Sequence, residues 1–255
     1  MKIIAELGIN HGGNPETAEE MIVAAADAGV DGVKLQTYRV GDFLPEGHED
    51  WDMFEACEIW PHLNRLVEFA HEGDLQIGTT PTSVQGVAEA VAAGVDFLKN
   101  GSDFLLRHNL IQAMVDTGLP TWVSTGMASE AEIEDVPFGA KLMACTSLYP
   151  CPQHLANVSR LNDGIHTGYS DHTRCTLTAP ICAVLGAEMY ETHFTLDPTM
   201  KGPDHTFSRT PNDLGLIVSA VRTAESLLGT GWPDLSEQEQ ANRDKWRVTE
   251  GKLRG

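Results

Sequence analysis

The chain has 255 residues, of which 42% are hydrophobic and 21% are charged, a composition that excludes disorder of the whole chain. Its 37 acidic residues outnumber its 17 lysines and arginines, giving a net charge of −20. With no basic run, this acidity argues against nucleic-acid binding, because an acidic surface repels phosphate backbones.

The sequence predicts neither a membrane span nor a signal peptide, and it contains no CxxC pair. No apolar run approaches the roughly 18 residues of a membrane span, and Glu6 interrupts the N-terminal apolar stretch too early for a signal peptide. An odd number of cysteines without a CxxC pair argues against a disulfide scaffold or a zinc knuckle. We therefore expect a cytoplasmic protein that does not bind membranes. The five cysteines are Cys57, Cys145, Cys151, Cys175 and Cys182.

Eight short apolar segments alternate with helical patterns along the chain. This alternation is typical of βα units on a parallel sheet. The predicted strands are Ile3–Asn10, Gly32–Thr37, Leu75–Thr80, Phe97–Ser102, Thr121–Gly126, Lys141–Ser147, Ile165–Ser170 and Glu188–Leu196. The predicted helices are Pro15–Ala28, Leu63–Glu72, Ser83–Ala93, Leu106–Thr117, Leu155–Arg160, Leu177–Leu185 and Asn212–Leu228. The segment Met127–Gly139 has room for only about two further helical turns.

The eight strand–helix pairs predict an α/β fold, a single-domain (β/α)8 TIM barrel over residues 1–230. We expect the polar C-terminal tail, residues 231–255, to lie over the barrel or to fray. A doubly wound open sheet is the alternative fold. That fold usually has a GxGxxG sequence after its first strand, which GINHGG does not match.

Polar residues cluster at the C-terminal ends of the predicted strands, where barrels of this class place their active sites. Strand eight is the clearest case. By the alternation of a strand, Glu191 and His193 share one face, while Tyr190 and Phe194 share the other and can pack on the helices. Inward polar groups destabilise a barrel unless they are paired, so this pattern indicates a functional site.

His172 and His193 end two neighbouring predicted strands. Two imidazoles with oxygen ligands suit Mn, Fe, Co or Zn, so the pair predicts a divalent metal site. The alternative is that these are two unrelated histidines, each satisfied by its own local hydrogen bonds.

Lys34 and Lys99 lie in apolar strands of a strongly acidic chain. Together with nearby hydroxyl groups they suit a phosphate or a carboxylate, so they predict an anion pocket. The alternative is that the lysines extend along apolar surface or form a buried ion pair with Glu6. The hydroxyl groups are those of Thr80, Ser102 and Ser124.

The segment KGPDHTFS follows strand eight and should form a loop over the barrel mouth. Asp204 and His205 of this loop are candidate contacts to a polar substrate. A plain turn is the alternative, because Gly, Pro and Asp are ordinary turn residues.

Nine motifs, in this order, resemble the barrel of the N-acetylneuraminate (sialic acid) synthase family: AELGINHGG, VKLQTY, TTPTS, FLKNGS, STGMA, CTSLYP, GYSDHT, ETHFTLD and GPDHTFS. The resemblance implies a (β/α)8 enzyme. It would condense phosphoenolpyruvate with an N-acylated amino sugar, giving a nonulosonic acid and phosphate.

The resemblance also implies roles for individual residues. His172 and His193 would bind a divalent metal, usually Mn. The residues facing the sugar or the reacting centre would be Glu6, Gln36, Glu191 and Asp204. The phosphoenolpyruvate pocket would be lined by Lys34, Thr80, Lys99, Ser102, Ser124 and Ser170.

The chain departs from the family pattern in places. Thr192 stands where the family usually has lysine, but it points outward by alternation, and we expect little effect on catalysis. Family members usually continue into a small antifreeze-like domain, which would begin near Gly255. We expect a homo-oligomer. A separate protein is a candidate source of that domain. Two other functions stay open: another metal-dependent aldolase or lyase of the same fold, and a non-catalytic subunit that binds a sugar or an anion.

Overall fold

Eight parallel strands close into a barrel in the computed structural model of the protein, which describes residues 1–229, 231, 235–249 and 252–253. The first strand pairs with both the second and the eighth, and this closes the sheet. The prediction of a (β/α)8 barrel is confirmed, and every predicted strand overlaps an observed one. The strands are β1 Lys2–Gly8, β2 Gly32–Thr37, β3 Gln76–Pro81, β4 Phe97–Asn100, β5 Thr121–Ser124, β6 Lys141–Cys145, β7 His166–Asp171 and β8 Met189–His193.

Helices connect most of the strands and surround the barrel. The first helix begins as predicted, since the Asn14 side chain accepts a hydrogen bond from the Thr17 amide and Pro15 takes the first helical position. The helices are α1 Pro15–Asp27, α2 Trp51–Ala56, α3 Leu63–Glu72, α4 Val84–Ala93, α5 His108–Asp116, α6 Glu130–Glu134, α7 Thr178–Val184 and α8 Pro211–Leu228.

The connection from β6 to β7 differs from the prediction. In place of an α-helix over Leu155–Arg160, two 3-10 helices cover Gln153–Leu155 and Val158–Asn162. Between them Asn157 adopts a left-handed conformation with φ of 49°. An α-helix cannot continue through such a residue, so the predicted helix is wrong there.

Apolar side chains fill the floor of the barrel, the end of its interior where the strands begin. The polar mouth is the opposite end, where the C-termini of the strands lie. The floor consists of Ile4, Phe97, Trp122, Met143 and Met189. A Cβ atom on Gly78 would lie 2.3 Å from the Phe97 ring, so the floor needs glycine there. A larger core packs between the strands and the helices and includes Tyr190 and Phe194, as predicted.

Part of the predicted C-terminal tail forms regular structure. Helix α9, Glu237–Trp246, is exposed throughout, and two short strands pair after it, β9 Val248–Thr249 and β10 Lys252–Leu253. The rest of the tail prediction, at residues 232–234, 250–251 and 254–255, lies outside the described residues. None of the helices in the described part of the chain combines the length and the apolar character needed to cross a membrane.

Candidate active site

A cavity of about 420 Å³ opens at the mouth of the barrel. The structure brings together around it every residue to which the sequence assigned a catalytic, anion-binding or metal-binding role. The side chains come from seven strands or the loops that follow them, which explains why they are scattered along the chain. They are Glu6, Lys34, Gln36, Thr80, Lys99, Ser102, Ser124, Ser170, His172, Glu191, His193 and Asp204.

Two lysines and two glutamates form a buried charge cluster at the base of this cavity. Nζ of Lys34 lies 2.8 Å from Oε2 of Glu6 and 3.9 Å from Oε2 of Glu191. Nζ of Lys99 lies 2.9 Å from Oε1 of Glu191. The buried ion pair that was the alternative interpretation of Lys34 is therefore present, and it is part of the cavity lining. The four formal charges cancel.

Hydrogen bonds fix the orientation of these charged groups. Nζ of Lys34 donates to Oγ1 of Thr80 at 2.7 Å. Each carboxylate accepts one further bond: the Gln36 amide donates to Glu6 at 2.9 Å, and the Ser170 hydroxyl donates to Glu191 at 2.9 Å. A site with such fixed charges needs little reorganisation when a ligand arrives.

The surroundings of the two carboxylates separate their acidities. Burial opposes the charge of Glu191, but Lys99 and Lys34 outweigh it and hold the pKa of that carboxyl at about 2. Burial dominates at Glu6 and raises its pKa, with Lys34 opposing the change. Burial also opposes the charge of Lys99, yet Glu191 and Glu6 keep the pKa of its ammonium group above the ordinary value. Glu191 and Lys99 are therefore both ionised at neutral pH, while Glu6 is the more basic carboxylate.

A cradle of small polar groups, the serine cradle, consists of Ser102, Ser124, Ser147 and Gly126. Ser102 and Ser124 line the cavity together with Lys99. Oγ of Ser102 accepts a hydrogen bond from the amide of Gly126 at 3.0 Å. The buried hydroxyls of Ser124 and Ser147 have no hydrogen-bond partner in the described structure. A Cβ atom on Gly126 would lie 2.2 Å from Oγ of Ser147 and 2.7 Å from Oγ of Ser102, so only glycine leaves this space open. Unpartnered hydroxyls next to an ammonium group suit the oxygens of an anion.

The two histidines face each other with ring centroids 5.7 Å apart. Nδ1 of His172 donates to the carbonyl oxygen of Thr146 at 2.8 Å, which leaves the lone pair on Nε2. Nδ1 of His193 is buried without a hydrogen-bond partner in the described structure. Burial lowers the pKa of both imidazoles, so both are neutral at pH 7. Neutral rings with available nitrogens fit a divalent metal.

Other protein ligands for such a metal are few. Within the residues that the structure describes, no group of three or more histidine, cysteine, aspartate or glutamate side chains is arranged around one point. The donor set is therefore two imidazoles, and substrate or water oxygens would have to complete the coordination.

The loop after β8 contributes one of its two candidate residues to the cavity. Oδ2 of Asp204 lies 3.6 Å from Nδ1 of His193, and burial together with Glu6 raises the pKa of the Asp204 carboxyl to about 7. His205 does not line the cavity, because its Nδ1 bonds to Oγ1 of Thr195 at 2.7 Å. The hypothesis that His205 contacts the substrate finds no support in this geometry.

An aromatic wall completes the cavity, and no role was assigned to it from the sequence. The Tyr149 ring lies 4.2 Å from the His172 ring, and the Phe207 ring lies 5.0 Å from the His193 ring. Phe54 and Phe104 also line the cavity. Tyr149 stands in the motif CTSLYP, which was the available signal, whereas Phe54 lies on helix α2, which was not predicted.

The sequence and the fold both resemble those of known proteins. The sequence profile of the NeuB family matches residues 21–232. The N,N'-diacetyllegionaminic acid synthase of Legionella pneumophila is 29% identical, over 93% of this chain and 76% of its own length. The pseudaminic acid synthase of Campylobacter jejuni is 32% identical, over 94% of this chain and 78% of its own length. Among solved structures, the N-acetylneuraminic acid (sialic acid) synthetase of Leptospira borgpetersenii matches with a TM-score of 0.87 and 30% identity, covering 95% of this chain and 90% of that one.

Proposed function

Because the chain belongs to the NeuB family, we propose that it condenses phosphoenolpyruvate with an N-acylated amino sugar, forming a nonulosonic acid and phosphate. The names of its relatives support this reaction class, since they are synthases of legionaminic, pseudaminic and sialic acids. The observation that carries the proposal is the cavity itself. It combines two buried lysines, unpartnered hydroxyl groups and a neutral histidine pair.

Phosphoenolpyruvate is assigned to the side of the cavity that holds the lysines. Its phosphate and carboxylate need cationic and hydrogen-bonding partners, and Lys34, Lys99 and the serine cradle provide both. The formal charges of the four-residue cluster cancel, so a bound anion would draw the lysines partly away from Glu6 and Glu191. The sugar is assigned to the part of the cavity that Gln36, Asp204 and the aromatic wall line.

The proposed reaction forms one carbon–carbon bond and one carbon–oxygen bond to water, and it breaks the carbon–oxygen bond to phosphate. C3 of phosphoenolpyruvate attacks the aldehyde carbon of the open-chain sugar, and positive charge develops at C2. A water molecule adds to C2, and the bond from C2 to the phosphate oxygen then breaks, leaving a ketone and inorganic phosphate. Of the two protons of that water, one ends on the new sugar hydroxyl and the other on the phosphate.

The protein residues have distinct tasks in this scheme. Glu191 is ionised and stabilises the positive charge at C2. Glu6, the more basic carboxylate, orients the attacking water and accepts its proton. A divalent metal on His172 and His193 would supply a Lewis acid for the sugar carbonyl oxygen. Holding both substrates in register contributes most to the rate enhancement, because effective molarities of ~10⁵ M or more are attainable.

A Schiff-base aldolase is less compatible with the site. Such an enzyme needs a lysine that is neutral near pH 7. Nζ of Lys99 is instead paired with Glu191, which helps keep the pKa of the ammonium group above its ordinary value. Nζ of Lys34 is paired with Glu6.

Phosphate release from phosphoenolpyruvate tests the proposal. We expect release in the presence of Mn²⁺ only when a suitable N-acetylated hexosamine is added, with one phosphate per sugar consumed. Ligand binding without phosphate release across a sugar panel would instead indicate a binding subunit. A covalent adduct after borohydride treatment with pyruvate would indicate an aldolase.

A further inference from the structure

The loop after β8 forms the part of the cavity wall beside His193. We call residues 197–208 the β8 loop. Pro203, Asp204, Thr206 and Phe207 of this loop all line the cavity. Two of them contact His193, the carboxylate of Asp204 at 3.6 Å and the ring of Phe207 at a centroid distance of 5.0 Å. The position of the β8 loop therefore sets the shape of the side assigned to the sugar.

Arg209 joins the end of the β8 loop to the barrel through its backbone. Its amide donates to the carbonyl oxygen of His193 at 2.7 Å, and its carbonyl oxygen accepts from the amide of Thr195 at 2.9 Å. These two bonds form an isolated parallel β-bridge between Arg209 and Phe194, the residue that directly follows β8.

The Arg209 side chain forms a second connection, to the end of β7. The residue is 3% exposed, and its Nη2 lies 3.3 Å from Oδ2 of Asp171, which is 1% exposed. Nη2 also donates to the carbonyl oxygen of Cys175 at 3.1 Å. Asp171 follows Ser170 and precedes His172, two residues of the cavity, but neither Asp171 nor Arg209 lines the cavity itself.

A buried ion pair fixes the relative position of the two segments that carry its partners. Moving one partner away leaves an uncompensated charge in an apolar region, which is strongly unfavourable. Asp171 is already held in place by the hydroxyl of Tyr190, at 2.5 Å, and by the amide of Thr173, at 2.8 Å. The pair therefore ties the end of the β8 loop to a fixed point on β7.

From these contacts we infer that Arg209 is a positioning residue for the sugar side of the active site. It acts through the β8 loop, by holding Asp204 and Phe207 against His193, and it touches neither substrate. The inference rests on the proposed function, because it assigns the sugar to this side of the cavity.

Other hydrogen bonds also hold the β8 loop in place, independently of Arg209. Oγ of Ser208 donates to the carbonyl oxygen of Asp204 at 2.7 Å and accepts from Nδ2 of Asn10 at 2.9 Å. The Arg174 guanidinium donates to the carbonyl oxygen of Thr206 at 2.6 Å. These anchors remain when Arg209 is changed, so the loop should shift rather than unfold. Among the described residues, the hydrogen bonds and ion pairs of Lys34, Lys99 and Ser102 all go to partners outside the β8 loop.

Steady-state kinetics of Arg209→Lys and Arg209→Met test the inference. We expect KM for the sugar to rise about tenfold or more in Arg209→Met and less in Arg209→Lys, which keeps the charge but not the guanidinium. KM for phosphoenolpyruvate should stay within about twofold. Arg222→Met is the control for loss of an arginine at the other end of the barrel, where Arg222 forms a partly exposed ion pair with Asp31 at 2.6 Å. A purely structural role would lower the amount of active enzyme and leave both KM values unchanged, which would overturn the inference.

Hydrogen–deuterium exchange provides a readout that does not require activity. Amides of residues 194–210 should exchange faster in Arg209→Lys than in the wild type, while those of α1 should not change. If the wild type releases no phosphate with any sugar, the proposed function fails, and the exchange experiment still tests the anchoring. If Arg209→Met does not fold, Arg209→Lys decides the question. Unchanged exchange in residues 194–210 would refute the positioning role.

Discussion

Nζ of Lys99 lies 2.9 Å from Oε1 of Glu191, and both residues are buried at the mouth of the barrel. The two groups stabilise each other's charge, which is why the pKa of Glu191 falls to about 2 although burial alone would raise it. Removing either group leaves the other charged and buried without its partner. Ligand binding and protein stability are therefore linked at this pair, and experiments have to separate them.

Replacement of Lys99 by methionine should weaken phosphoenolpyruvate binding and destabilise the protein. We expect the affinity, measured by calorimetry, to fall by at least about 1.5 kcal/mol, the scale of a charge-assisted hydrogen bond. The double variant Lys99→Met/Glu191→Gln should recover stability but not affinity, because it removes the unpaired charge without restoring the cation. Lys141→Met is the control, since Lys141 pairs with the exposed Glu188. Unchanged phosphoenolpyruvate affinity in Lys99→Met would refute the assignment of the anion pocket.

The same pair predicts a pH dependence of stability. The pKa of Glu191 is lower in the folded protein than its ordinary value of 4.5. Its ionised form is therefore favoured by folding, and this contribution is present above pH 4.5 and lost as the pH falls towards 2. Urea unfolding of the wild type and Glu191→Gln between pH 7 and pH 2.5 measures it. The difference in unfolding free energy between them should shrink as the pH falls, and a constant difference would contradict the ion pair.

The strand pattern of the sequence predicts the fold and most of the site, for a physical reason. Parallel strands bring their C-terminal ends to one edge, so Lys34, Lys99 and Glu191 can be placed together without knowledge of any distance. The pairing among them cannot be obtained this way. Whether Lys34 binds a ligand or Glu6 depends on ångström-scale positions, and in the structure it contacts Glu6 while lining the cavity.

Substitution of either histidine should reduce metal binding without disrupting the barrel. His172→Ala and His193→Ala each remove one of two neutral imidazoles, so we expect Mn²⁺ affinity, measured by calorimetry, to fall at least tenfold. Far-UV circular dichroism should not change. His48→Ala is the control, since His48 is exposed. Wild-type Mn²⁺ affinity in the double alanine variant would exclude this pair as the metal site.

Two residues of the aromatic wall, Tyr149 and Phe54, lie in segments whose apolar pattern is too short to predict their structure. The 3-10 helices after β6 follow Tyr149, and Phe54 lies on the short helix α2 within the connection from β2 to α3. Neither region carries the long apolar periodicity by which helices are recognised. Tyr149 and Phe54 were missed for that reason, whereas the strand-borne residues were found. Phe207 lies in the predicted loop after β8, but no role was assigned to it.

Replacement of Gly126 by alanine should block the anion cradle. The added methyl group would lie 2.2 Å from Oγ of Ser147 and 2.7 Å from Oγ of Ser102. The serine side chains would have to rotate away, and the space for an anion would be filled. We expect phosphoenolpyruvate affinity to fall more than tenfold and Tm to fall as well, because overpacking destabilises a buried site by roughly 1–3 kcal/mol. Gly215→Ala is the control, because its methyl group would contact nothing within 4 Å. Wild-type affinity in Gly126→Ala would show that the anion binds elsewhere.

His11 is 2% exposed in the loop after β1. Its Nε2 donates to the carbonyl oxygen of Gly8 at 3.0 Å, and its Nδ1 accepts from the amide of Gly13 at 3.0 Å, so both nitrogens are satisfied in the neutral ring. Burial lowers the pKa of this imidazole to about 4, and protonation would break the bond from Gly13. The unfolded chain takes up a proton near pH 6.5, so the contribution of the neutral ring is complete above pH 6.5 and is lost as the pH falls to 4. At 1.36 kcal/mol per unit of pKa, that loss is roughly 3 kcal/mol.

The variant His11→Asn tests this contribution, because an asparagine side chain can still accept a hydrogen bond from the Gly13 amide but does not titrate. Urea unfolding should therefore give a flatter decline of stability between pH 7 and pH 4 than in the wild type, whereas the exposed control His48→Asn should follow the wild-type curve. Equal slopes in His11→Asn and the wild type would show that another group causes the acid sensitivity.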